Sequence, residues 1–439
     1  MAMVVKNNMS ALSTLNTLNK NTKALSKSLQ KVSSGMKINS AADDASGYAI
    51  SERMRVQIRS LDQANSNAQN GGSMMKVAEG AVSSTVEILK TLKEKAVNAA
   101  NDTNTDADRQ TIQKELDQSI DQINDNANVT FNGQYLVDGS KNSATAATCT
   151  ALTNQSLAEN TDSATKLTEL KARNGDSLNI QSTDTITVSW VKDGKTYTGS
   201  TKVNDQTLDA ALKAIKDGSN DLSADITLKE SKKSFIAVDG SGNSVYTASG
   251  ESALTLVSSN SGINNQISGF TISITDNTGA VRKSANAALD AFDETLRAQN
   301  KSEDNSINLQ IGTKANQTIK VGLTDMKAQA LGLQGKNNDT IQVGNQEQAN
   351  AAINVLDAAV QKALDQQTTI GAVQSRLEYT QTNLTTASEN VTAAESTIRD
   401  ADMAKEMTEY TKNNVLMQAA QSMLAQANQS SSNALSLLQ

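Results

Sequence analysis

The sequence predicts a mainly α protein: a long coiled-coil helical rod made from paired N- and C-terminal segments, with an α+β domain inserted between them. Three observations carry this. Residues 1–140 and 336–439 share an Ala/Leu/Asn/Gln-rich composition whose apolar positions step by 3 and 4, the period of a helix face. Residues 141–305 are instead rich in Thr, Ser, Gly and Asp, with short alternating runs. Finally, 439 residues contain no proline, where average usage would give about 20. Proline removes a helix hydrogen bond and clashes with the preceding turn, so its absence suits long uninterrupted helices.

In the first helix Ala11, Leu15, Leu18, Thr22, Leu25, Leu29, Val32 and Met36 form a seam. Ser33-Ser34-Gly35 then reads as a helix stop, and Asp43 or Asp44 as the N-cap of the next helix. That second seam runs from Ile50 through Leu61, Met75, Val82, Leu89 and Ala96 to Ala99 without losing phase. Residues 45–99 would span roughly 80 Å at 1.5 Å per residue, too long for a compact domain and suited to a rod. A third helix over 106–127 places Ile112, Leu116, Ile120 and Ile123 on one face. Near the C-terminus a seam runs from Ile353 to Ala401, with Gln367 and Gln374 in two of its positions. It slips phase and resumes at Leu416, Ala420, Met423 and Ala427.

These seams are short of large apolar residues. At about 25 cal/mol per Å², one such helix does not offset the entropy of its own ordering, so the helices must pack on one another. An intramolecular bundle accounts for the long helices but less well for residues 1–36 and 405–439. Residues 1–42 hold six lysines and no acid, whereas 400–439 hold four acids and two lysines. That split favours pairing of the ends and equally describes two solvated faces.

The inserted segment reads as one mixed domain. Thr185–Trp190 and Thr196–Val203 alternate around the turn signal Asp193-Gly194. A helix is expected over Leu208–Lys216, strands over Ser234–Val238, Ser252–Val257 and Gly269–Thr275, and a helix over Ala285–Ala298. Its carboxylates look scattered over a solvated surface.

Composition excludes much chemistry. Without histidine there is no HExxH zinc site, Ser-His-Asp triad or Cys-His pair. A single cysteine, Cys149, excludes an intramolecular disulfide and a CxxC site, and its Thr/Ala-rich setting reads as inert. The net charge of −7 gives no global basic footprint for nucleic acid. No apolar run approaches the ~18 residues of a membrane span. The first residues lack the h-region of a secretory signal, so export without a cleaved signal of that type is expected. Neither catalysis nor a cofactor is expected.

Leu29–Gly47 (LQKVSSGMKINSAADDASG) resembles the flagellin N-terminal signature. Ile398–Ala404 (IRDADMA) and Ser422–Gln429 (SMLAQANQ), followed by Leu435-Ser436-Leu437-Leu438, are similar to the C-terminal one, and Phe131-Asn132-Gly133-Gln134 to the close of the N-terminal block. The resemblance covers about 1–138 and 307–439. A non-flagellar coiled-coil protein would share the seams without these blocks, and a hook-junction relative would share the terminal helices without the full match.

The resemblance implies inner-tube helices from 1–42 and 402–439, and an outer-tube rod from 43–140 and 306–401. It also implies a variable surface domain over 141–305. Asn308–Gly312 and Gln317–Val321 resemble the family's rod hairpin, which implies that 307–333 belongs to the rod and that the variable domain is inserted ahead of it. It further implies a secreted homopolymer in the extracellular filament, exported unfolded by a type III apparatus. Its partners would be the flagellar cap, the hook-filament junction proteins and an export chaperone. Terminal helices folding only on polymerisation, two close packings of one subunit, and O-linked glycans on Ser and Thr of 141–305 would accompany this. The expected assembly seam is Leu15, Leu18, Leu25, Leu29 and Val32 with Leu416, Ala420, Met423 and Ala427. Where receptor-activating flagellins present an arginine, a leucine and a glutamate to Toll-like receptor 5, this chain has Thr91, Lys95 and Glu115. Lys93 falls where a second arginine is frequent, so weakened receptor binding is implied.

Overall fold

A computed structural model describes residues 8–217, 220–230, 235–247 and 252–436. Ser234, Leu437 and Leu438 of the segments above lie outside these.

The helices begin and end where local chemistry dictates. In α1 (Met9–Ser34) the Asn8 side chain accepts from the Ala11 amide at 3.0 Å, and Gly35 closes the other end at φ +72°, a conformation glycine takes without steric cost. For α2 (Ala45–Ala99), Asp44 is the cap, accepting from the amides of Ser46 and Gly47, each at 3.0 Å. In α3 (Asp106–Ala127), Thr105 and Asp108 form a reciprocal capping box. A short strand pair, β1 (Thr130–Phe131) with β2 (Gln134–Tyr135), follows at once.

The inserted domain comprises β3 (Ala151–Asn154), β4 (Thr185–Lys192), β5 (Lys195–Lys202), α4 (Leu208–Ala214), β6 (Lys216–Asp217), β7 (Asn220–Asp221), α5 (Leu222–Asp225) and β8 (Ile226–Glu230). It continues through β9 (Phe235–Val238), β10 (Ser244–Tyr246), β11 (Leu254–Ser258), β12 (Ile267–Thr275), α6 (Lys283–Leu289) and β13 (Phe292–Leu296). One sheet has the order β13-β3-β11-β8 and another β12-β4-β5. Alternation along β4 sends Ile186, Val188 and Trp190 into a core shared with Leu254, Leu256, Phe270 and Ile272. Cys149 is half-buried and packs beside Ala151, Val257 and Leu296. The helix expected over Ala285–Ala298 is instead α6 followed by strand β13. Asp290 ends the helix and accepts from the Ile272 amide at 3.2 Å, and the chain then pairs with β3. Leu208–Lys216 likewise ends as helix at Ala214, with Lys216 in β6.

Beyond the insert, β14 (Ile307–Gln310) and β15 (Thr318–Val321) form a two-stranded sheet. Leu309 sits against Gly71 of α2 so closely that a Cβ there would meet it at 2.7 Å. The chain ends with α7 (Gln346–Arg399), capped by Asn345 accepting from the Gln348 amide, and α8 (Met403–Ser436), capped by Asp402.

These elements make two compact units. One draws on the chain ends, as far as Ala68 and from Tyr379, with Gln310–Gln317; the other holds Gln69–Leu309 and Thr318–Glu378. In the second, the later part of α2 is enclosed. Its seam positions Met75, Ala78, Val82, Leu89, Leu92 and Ala96 are buried, as are Leu116, Ile120 and Ile123 of α3 and Leu356, Ala363 and Ile370 of α7. The polar seam position Gln374 donates to Glu79 at 2.7 Å. The inserted domain rests on α7, where Asn354 donates to the Phe270 carbonyl at 3.1 Å. No described helix is long and apolar enough to cross a membrane.

Candidate functional site

The unit made by the chain ends holds the residues marked as the assembly seam. Here α1 packs against α8. The pair is antiparallel: Asn8 donates to the Ala427 carbonyl (3.2 Å), Asn21 to the Leu416 carbonyl (3.2 Å), and Asn413 to Ser28 (3.0 Å), while Lys31 meets Glu406 at 3.3 Å.

The shielded positions of α1 include Ala11, Thr14, Leu18, Asn21, Leu25, Ser28 and Val32, with Ala24 and Lys31 flanking them; those of α8 include Glu406, Tyr410, Asn413, Met417, Ala420, Leu424 and Ala427, with Asn414 beside them. Both keep the 3/4 step of a coiled-coil face. Of the expected residues, Leu18, Leu25, Val32 and Ala427 are half-buried and Ala420 is buried. Leu15, Leu29, Leu416 and Met423 point outward, at 41%, 52%, 43% and 61% exposure. Two heptads are therefore interleaved on each helix. The inward one uses Asn21, Ser28 and Asn413, whose side chains reach partners across the pair. The outward one carries apolar side chains that stay exposed among the described residues. Met9, Leu12, Met407 and Val415 extend that uncovered stripe.

A joint that the sequence reading did not single out ties the two connectors together. Arg399, buried at the end of α7, holds Glu52 at 2.6 Å, donates to the Met36 sulfur at 3.1 Å and lies 5.5 Å from the centre of the Tyr48 ring. The backbone repeats the link: the Lys37 amide donates to the Arg399 carbonyl and the Ala401 amide to that of Gly35. The Arg399 hydrogen bond holds the Glu52 carboxyl below the usual carboxylate range. On the other connector, Asp43 meets Lys27 at 2.9 Å and accepts from the amides of Asn39 and Ser40. Chiefly through Lys27, its carboxyl is lowered to about 2. The signal for Arg399 was present in Tyr48 and Glu52, an i, i+4 pair facing a lone arginine in Ile398-Arg399-Asp400.

The residues weighed for receptor contact lie in the other unit. Thr91 is exposed on α2 and donates to the Glu87 carbonyl at 3.1 Å. Lys93 is paired with Asp357, and Lys95 with Glu115 at 2.9 Å.

Helices from both ends of the chain pair with each other and keep an apolar stripe exposed. Comparison with known proteins gives the family. Residues 5–142 match the bacterial flagellin N-terminal helical region and residues 353–438 the bacterial flagellin C-terminal helical region. A flagellin of Clostridium tyrobutyricum is 36% identical, covering 97% of this chain and 99% of that one. A flagellin of Bacillus subtilis is 32% identical, covering 99% and 100%. The structure of FliC from Burkholderia pseudomallei aligns at 17% identity and a TM-score of 0.26, covering 70% of this chain and 99% of that one. The chain belongs to the bacterial flagellin family: it is a structural subunit of the flagellar filament, not an enzyme.

Proposed function

We propose that the outward heptad of α1 and α8 is the surface through which copies of this chain polymerise. The observation that carries this is the exposure of Leu15, Leu29, Leu416 and Met423 on helices whose inner faces already cover each other. Apolar stripes left open on a weakly held pair are covered most readily by the same stripe on neighbouring copies.

On this reading residues 1–42 and 402–439 line the filament interior, 43–140 and 306–401 surround them, and 141–305 face outward. The seating of Leu309 against Gly71 supports counting the hairpin near 307–333 with the rod. The subunit leaves the cell unfolded by type III export with a chaperone and adds beneath the cap onto a base of junction proteins, forming an extracellular filament. The proline-free, disulfide-free chain suits passage through a narrow channel and prompt refolding. Receptor engagement is weakened, because Lys95 both replaces an apolar contact and occupies Glu115. A Toll-like receptor 5 reporter assay should give lower potency than a strong agonist flagellin; equal potency refutes this part.

The assembly reading is tested with Leu15→Lys/Leu29→Lys. Monomer should be produced with its circular dichroism intact, and sedimentation and electron microscopy should show few or no filaments. Filaments of normal length and yield would overturn it.

A further inference from the structure

A cavity of about 840 Å³ opens between β12–β13 of the inserted domain and α7. Carboxylates from both sides line it. Asp239, Asp290, Asp293 and Glu294 line it from the insert, and Asp357 and Asp365 from α7, whereas Arg297 is the sole basic residue among the described lining residues. Arg297 is shared: it donates to Asp365 at 2.8 Å and stands 3.7 Å from one Glu294 oxygen. The Glu294 side chain is only 8% exposed, and its other oxygen, Oε1, has no hydrogen-bond partner.

A buried carboxylate oxygen without a donor is costly, and a cationic donor entering from the cleft would relieve it. Burial pushes the Glu294 carboxyl above the usual range, so the site as it stands disfavours the charge that such a donor would stabilise. The form of the cation follows from spacing. Among the described residues no three carboxylates come together closely enough to chelate a metal ion. Asp357 and Asp365 are eight residues apart on one helix, about 12 Å at 1.5 Å per residue; Asp357 is also paired with Lys93 and Asp365 with Arg297, so a ligand ammonium there would share or displace those partners. Phe270 and Phe292, edge to face with centroids 5.2 Å apart, supply an apolar wall beside Glu294. Carboxylates set apart along an apolar wall match ammonium groups separated by methylene chains.

We propose that this cleft binds a linear polyammonium ligand of the spermidine class, with one ammonium on Glu294 Oε1 and another toward the α7 carboxylates. Isothermal titration of the monomeric full chain with spermidine at fixed ionic strength tests it. Saturable one-to-one binding is expected. The near-isosteric Glu294→Gln should weaken it at least about tenfold. Gln361→Lys, which sets a cation on the exposed helical lip of the cleft, should weaken it as well. Glu87→Gln, an exposed carboxylate that does not line the cavity, should leave it unchanged. Non-saturating heats, equal binding by all variants, or displacement by magnesium at matched ionic strength would reduce the cleft to a diffuse acidic surface and overturn the proposal.

Discussion

The same 3/4 pattern of small and apolar residues is written into α1 and α2, and the two helices use it differently. In the later part of α2 the seam from Met75 to Ala96 is buried, and α3 and α7 reach that stretch through Glu115–Lys95 and Asn126–Ser84 and through Asp357–Lys93 and Gln374–Glu79. Among the described residues α1 packs chiefly on α8, which covers one heptad, while Leu15 and Leu29 stay partly exposed. The difference lies in the number of neighbours, not in the hydrophobicity of the helix. A helix in a bundle completes its core inside the chain, whereas a helix in a pair has an apolar stripe left over. Burial of apolar area is the main favourable term in folding, so the first region should hold its structure alone and the second should depend on what covers it.

That contrast can be broken at graded cost. The largest loss should follow Ile120→Ala, which opens a cavity at a fully buried position; urea unfolding should register about 2–5 kcal/mol. Next comes Arg399→Ala. It strips the joint of its Glu52, Met36 and Tyr48 contacts, and a loss of about 1–3 kcal/mol is expected, with Glu52's partial exposure limiting the ion-pair share. Hydrogen exchange over residues 36–52 would locate that loss. Arg399→Lys should recover only part of it, because an ammonium lacks the planar fork.

A smaller effect is expected for Leu29→Ala, within about 0.5 kcal/mol of the parent in monomer unfolding, since the side chain is already in water; the critical concentration for polymerisation should nevertheless rise. A monomer as destabilised by Leu29→Ala as by Ile120→Ala would erase the distinction between the regions. The smallest effect concerns pH. Asp43, held at about 2 against an unfolded value of 3.8, contributes stability that is fully present above about pH 4 and is lost as pH falls through 2. Acid titration followed by nuclear magnetic resonance of the 37–46 amides should show the connector loosening in that window. Asp43→Asn should remove the transition.

Much of this fold was legible in the sequence, for identifiable reasons. Helix limits follow from local chemistry: Asp44, the Thr105–Asp108 box and Gly35 act within a few residues of themselves. The long α2 seam was legible because its positions from Leu61 to Ala99 repeat one burial pattern; at its start Ile50 is exposed and Ser51 is buried instead. Two things were not. The choice between interleaved heptads on α1 turns on Asn21 and Ser28 finding partners on α8, nearly 400 residues away. Read alone, the leucines at 15 and 29 appear the better inward positions. The acidic cleft was equally hidden, because it brings residues 239, 290–294 and 357–365 together only after the insert has folded onto α7. The helix expected over Ala285–Ala298 reads correctly as far as Leu289; the vacant edge of β3, which claims Phe292–Leu296, has no local signature.

Amide hydrogen exchange on monomer and polymer tests the central claim most directly, namely that this chain completes one helical region by itself and leaves the other to its neighbours. In monomer, amides of 10–32 and 406–430 should exchange rapidly while those of 75–96 and 112–123 are protected, and polymerisation should protect the terminal helices. Protection of 10–32 in monomer equal to that of 75–96 would contradict the account.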